Sequence, residues 1–151
     1  VLADAIADVT GVPGRYGDHP PGTRAVTLTD PQTPSAALDV LGRCSREETC
    51  EAAGGTPGGL PRMLHLYNGP LLNARITDPE GRLRKQLAAG RSPEAIISDL
   101  YLRALGRAPS PEERRFWAKQ IADASGARER EELLEDFLWG LLNCREFLTN
   151  H

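Results

Sequence analysis

Residues 92–148 read SPEAIISDLYLRALGRAPSPEERRFWAKQIADASGAREREELLEDFLWGLLNCREFL, and this stretch decides the fold. Ser92-Pro93-Glu94 is a helix start: a hydroxyl cap, a proline at the first helical position and an acid in the first turn. Ile96, Ile97, Leu100, Tyr101, Ala104 and Leu105 then share one broad face at helical spacing, and Gly106 stops the helix. Ser110-Pro111-Glu112-Glu113 has the Ser-x-x-Glu spacing of a capping box and opens a helix carrying Phe116, Trp117 and Ile121. Gly126 breaks it. Residues 128–143 form the next helix, through Leu133, Leu134, Phe137, Leu138, Leu141 and Leu142, and a short terminal helix holds Phe147 and Leu148. The breaks are expected near 106–110 and 124–128. Only 5% of the chain is aromatic, so Trp117 is expected to be largely buried.

Upstream the signals weaken. Pro70 opens a helix with Leu71, Leu72 and Ile76, and Asp78-Pro79 is expected to cap another through Leu83 and Leu87 to Gly90. Leu60, Met63, Leu64 and Tyr67 form a helical stripe ended by Asn68-Gly69. Ser35 caps a short helix to Leu41, and Leu2, Ile6 and Val9 place a helix end before Gly11. Residues 12–23, VPGRYGDHPPGT, cannot be regular, and Arg24 to Thr29, RAVTLT, is the one strand-like run. Gly and Pro number 15 in residues 10–59 and only 6 in residues 92–151. That contrast divides the chain into a loop-rich part, 1–59, and a helical part, 60–151, of a single domain. The expected fold is mainly α: a C-terminal helical bundle with a long irregular Gly/Pro-rich N-terminal half and at most one short strand pairing.

The 151 residues are one domain's worth, and a net charge of −3 disfavours a nucleic-acid module. No apolar run approaches the roughly 20 residues of a spanning helix. The chain begins at Val1, which predicts a fragment of a larger processed protein with any export signal upstream. Sixteen Arg stand against 2 Lys; genomic base composition explains the bias as readily as bidentate anion clamps do.

Chemistry is sparse. Cys44, Cys50 and Cys144 include no Cys-x-x-Cys-His for c-type haem and no Cys-x-x-Cys, so no haem or structural metal is expected in this chain. Cys44 and Cys50, six apart, are compatible with a bridge, with two free thiols or with one paired elsewhere; Cys144 reads as a small buried hydrophobe. No Gly-x-Ser-x-Gly, P-loop or Gly-x-Gly-x-x-Gly occurs. The ligand-binding candidates are Arg24, Arg46, Cys50, Glu51, His65 and Asn68. Arginines there can hold a carboxylate or phosphate, or loop carbonyls and internal acids. His65, Arg46 and Glu51 are expected to pin the loop 43–59 onto the helix after Leu60, because that loop has few apolar residues to offset its ordering.

The ordered stretches GVPGRYGDHPPGTRAVTL, LDVLGRCSREETCE, LHLYNGPLL, LYLRALGRAPSPEE and LLNCREFLTNH resemble the C-terminal part of the planctomycete cytochrome-c-associated family of unknown function. The resemblance spans nearly the whole chain. Its pattern matches Arg24, Gly42-Arg43, Arg46, Cys50-Glu51, His65, Asn68, Arg107-Ala108-Pro109, Glu112, Asn143 and Glu146-Phe147. Many members show Cys-Glu-Cys-Glu-Arg, whereas Cys50-Glu51 is followed here by Ala52, Ala53 and Gly54, so a Cys-x-Cys pair is lacking. The resemblance implies an exported, periplasmic or cell-surface multidomain protein, with haem possible in an upstream domain. Residues 95–148 are also similar to helical linker modules such as those of phycobilisome linkers. That similarity implies one small core of Tyr101, Leu105, Trp117, Phe137 and Phe147, with Arg107 reaching Glu146 or a helix C-terminus. The function expected is a non-catalytic binding or assembly domain, partnered by other domains of the same protein or by another protein. The alternative is part of a hydrolase or redox enzyme whose catalytic or haem domain lies upstream.

Overall fold

The computed structural model describes residues 1–30, 32–41 and 69–150. Its helices are α1 (Leu2–Thr10), α2 (Ala36–Leu41), α3 (Pro70–Ile76), α4 (Arg82–Ala88), α5 (Pro93–Leu105), α6 (Pro111–Asp123), α7 (Ala127–Asn143) and α8 (Arg145–Asn150). The fold is mainly helical, with no strand among the described residues. No described helix is long and apolar enough to cross a membrane.

The local signals work as physical devices. Ser92 Oγ accepts from the Ala95 N–H, and Gly106 ends α5 at φ 68°, a left-handed conformation glycine adopts without cost. Both arms of the α6 capping box form: Glu113 N–H to Ser110 Oγ at 3.2 Å and Ser110 N–H to Glu113 Oε2 at 2.6 Å. The two breaks, at 106–110 and 124–126, fall where Gly and Pro place them.

The central helix is α5, which packs against α1, α6, α7 and α8; α7 also packs against α3, α6 and α8. Ile96, Leu100, Leu134, Leu138, Leu142 and Phe147 are fully buried between them. Leu2, Ile6 and Val9 of α1 belong to the same cluster, so the front of the chain is built into the core. Each such side chain contributes about 1.5–3 kcal/mol on burial.

Four local expectations change. Residues 25–27 form a 3-10 turn, because the amides of Ala25 and Val26 both donate to Asp4, at 2.6 and 3.0 Å. Successive amides of a strand point to opposite sides, so one carboxylate cannot take both. Asp78 does not cap α4 directly: it closes a turn, with the Glu80 N–H on Oδ1 and the Gly81 N–H on its carbonyl, and α4 starts one residue past that turn. Trp117 is half-buried against Phe137 (centroids 4.8 Å apart), because Phe137 and Phe147 fill the interior, and Phe116 lies outside. Cys144 sits between α7 and α8, half-buried, where its Sγ accepts from the Phe147 N–H at 3.4 Å.

The irregular segment 12–23 is held by one aromatic. Tyr16 is fully buried, and the neighbouring Gly17 N–H donates to the Pro34 carbonyl at 2.9 Å. The stripe from Leu60, the Cys44 and Cys50 thiols and the proposed loop tether lie outside the described residues.

Candidate functional site

Of the six candidate ligand residues, only Arg24 is described; Arg46, Cys50, Glu51, His65 and Asn68 lie outside the described residues. Arg24 flanks the 3-10 turn and pairs with Asp8 of α1 at 2.8 Å, with both side chains more than half exposed. In high dielectric such a pair contributes little stability and its charges remain exchangeable.

Arg24 opens a polar seam along α1, α4 and α5. Asp4 lies beneath it, 4% exposed, its carboxylate turned to the two amides of the 3-10 turn. A shallow groove of about 230 Å³ is lined by Asp4, Asp8, Arg24, Val26 and Arg103, among others. Arg103 Nε donates to Asp99 Oδ2 at 2.9 Å, and Gln86 Nε2 donates to the same oxygen at 2.6 Å. Burial raises the Asp99 pKa, yet the Arg103 and Gln86 hydrogen bonds and the charges of Arg103 and Arg91 together bring it below the usual carboxylate value.

Arg82 closes the seam. Its guanidinium donates to the carbonyls of Val9 and Asp8, both at 3.0 Å, satisfying groups that the end of α1 leaves without helical partners. The approach is close: a Cβ on Gly11, which sits at φ 72°, would lie 3.2 Å from the Arg82 backbone nitrogen. Arg75 does the same for Val12, at 3.2 Å. Burial pushes both guanidinium pKa values down.

A second cluster joins the helix ends. Arg107 grips Glu146 of α8 through Nε and a terminal nitrogen at 2.8 and 2.9 Å, and Glu113 of α6 at 2.9 and 3.0 Å. It also lies 5.4 Å from the Tyr101 ring centre. Its hydrogen bonds hold Glu113 down to about 2 and push Arg107 further up. Arg84 of α4 similarly bridges Glu131, at 2.7 Å, and Glu135 of α7. The Arg107 pair with Glu146 is the contact read from the chain. Asp4, Arg82, Gln86 and Asp99 were missed, because their roles depend on the order in which helices pack.

This chemistry is ionic and hydrogen-bonding: it fixes helix ends and presents exchangeable charges beside a groove. No group of three or more His, Cys, Asp or Glu side chains converges as a metal site among the described residues. No curated protein and no solved structure matches the chain. Among known families, residues 82–150, from α4 to the end of α8, match a domain of unknown function, DUF4214.

Proposed function

We propose that the chain is a non-catalytic binding or assembly domain of an exported, periplasmic or cell-surface multidomain protein, and that it contacts another domain of that protein or a protein partner. One observation carries the reading: large apolar side chains stand outside on elements packed in succession. Leu102 of α5 is 58% exposed and Phe116 of α6 is 55% exposed, while Val26 projects from the turn on α1. Of these, Phe116 is of the aromatic type enriched at protein interfaces. The arginines Arg82, Arg84 and Arg107 are meanwhile engaged within the fold.

Export and the cytochrome-c association rest on the sequence resemblance, as does the possibility of haem in an upstream domain; this chain itself is read as carrying no cofactor. The test uses the full-length protein with Leu102→Asp and Phe116→Asp together. Sedimentation is expected to show loss of self-association or partner association with an unchanged melting temperature. Unchanged assembly would overturn the reading.

A further inference from the structure

A groove of about 500 Å³ runs between α4, the start of α5 and the first half of α7, a volume in the range of binding pockets. Pro79, Leu87, Ala88, Pro93, Ala127 and Leu134 line it, so its walls are mainly apolar. Ala127, Arg130, Glu131 and Leu134 stand at i, i+3, i+4 and i+7, so one face of α7 turns to the groove. The charges on that face are ordered. Arg130 is exposed and makes no side-chain ion pair among the described residues; its backbone N–H donates to the Gly126 carbonyl at 3.2 Å. Further along α7, Arg84 bridges Glu131 and Glu135, two acids against one base, which leaves a net negative charge there. The groove therefore offers apolar walls with a cation first and an excess acid beyond it.

The same chain carries a matching piece. Phe116 is exposed on α6, yet its ring is held edge-on to Trp117, with centroids 5.1 Å apart, and Trp117 packs in turn on Phe137. An aromatic fixed in this way loses little freedom on docking. Glu112, Phe116 and Lys119 stand at i, i+4 and i+7 of α6, so an acid, a ring and a base follow one another along one exposed face. Neither of these two charges is in an ion pair among the described residues. Glu112 complements Arg130, and Lys119 complements the acids that Arg84 only half neutralises.

Every copy thus carries both halves of one contact. From this we infer that the groove between α4 and α7 receives Phe116 of a second copy of this chain, with Glu112 on Arg130 and Lys119 on the Arg84 cluster. The inference rests on the assembly reading and names the partner of Phe116. Sedimentation of the full-length protein over a concentration series, beside melting temperatures, tests it. Self-association is expected. Ala127→Trp fills the groove from an exposed position and is expected to weaken association at least tenfold without lowering the melting temperature. Glu112→Arg and Arg130→Glu are each expected to weaken it, and the two together in one chain to restore it, because the pair re-forms with its signs exchanged. A folding defect cannot mimic that rescue. A protein that stays monomeric, an Ala127→Trp variant that associates as before, or a double exchange no better than the single ones would overturn the inference. The two readings fail separately. Loss of assembly in the Leu102→Asp, Phe116→Asp protein with no effect of Ala127→Trp removes the groove and leaves assembly standing on another partner. Assembly indifferent to both removes the two together.

Discussion

Arg107 has a planar fork whose donors reach two carboxylates at once while its face lies over Tyr101. Lysine has the charge but not the fork. Arg107→Lys is therefore expected to lower the melting temperature by several degrees, close to the effect of Arg107→Ala. Arg128→Ala, whose partner Glu132 is one turn away on the same exposed helix face, should leave it nearly unchanged. Calorimetric scans of the three variants check this, and a full rescue by lysine would show that charge alone matters. The aromatics differ for a related reason. Phe137 is 1% exposed and touches both Tyr101 and Trp117, whereas Trp117 covers the core from outside. Phe137→Ala should cost about 3–5 kcal/mol and Trp117→Ala less, about 2 kcal/mol, because partial burial forfeits less area and leaves no closed cavity. Urea unfolding with equal costs for the two would refute the ordering.

Among the elements, α6 depends most on its ends, since Ile121 is its one buried side chain. Ser110→Ala removes one arm of the capping box and should cost about 1 kcal/mol, read by urea unfolding. Wherever local chemistry determines structure, as at Ser92, Gly106, Ser110 and Gly126, the chain announces it, and the bundle from α5 to α8 was legible. Arg107 with Glu146 was legible through the similarity to helical linker modules, which implied Glu146 or a helix C-terminus as the partner, and the structure shows Glu146. The turn at 25–27 was not: Ala-Val-Thr favours a strand locally, and the carboxylate that overrides this is some twenty residues away on α1. The candidate site was the least legible part. Gln86 and Asp99 meet only because α4 packs beside α5, and no periodicity encodes that meeting. Asp4→Ala should accordingly release the 3-10 turn without melting the bundle. Amide hydrogen exchange should quicken at Ala25 and Val26 while α5 and α7 stay protected, and loss of protection in α5 would contradict this.

At the scale of the whole molecule, pH acts from opposite directions on two sets of groups, carboxylates and buried phenols. On the acid side the groups are Glu113, held at about 2, with Glu146 and Asp99 also below their ordinary values. A carboxylate whose folded pKa is depressed contributes stability above its unfolded pKa, and that stability is lost as pH falls through the folded value. Loss should begin below about 4.5 and continue toward 2, spread between the α6–α8 junction and the α4–α5 seam. Salt should soften it, because the Arg107 cluster is partly exposed. On the alkaline side burial raises Tyr16, with Asp4 adding to the effect, and burial raises Tyr101. A raised phenol contributes stability that is complete below its unfolded pKa of 10 and lost as pH climbs through the folded one. The two arms separate by substitution. Glu113→Gln should shrink the acid limb to the part Glu146 and Asp99 carry and should ease the alkaline limb a little, because Glu113 also raises Tyr101. Tyr16→Phe should shrink the alkaline limb to the part Tyr101 carries, and it should not destabilise the protein at neutral pH, since the Tyr16 hydroxyl is buried with no partner among the described residues. Melting temperatures of the parent and both variants from pH 2 to 11 measure both limbs. A Tyr16→Phe variant markedly less stable at pH 7 would mean that the hydroxyl has a partner, and that the irregular front is held by a hydrogen bond as well as by the ring.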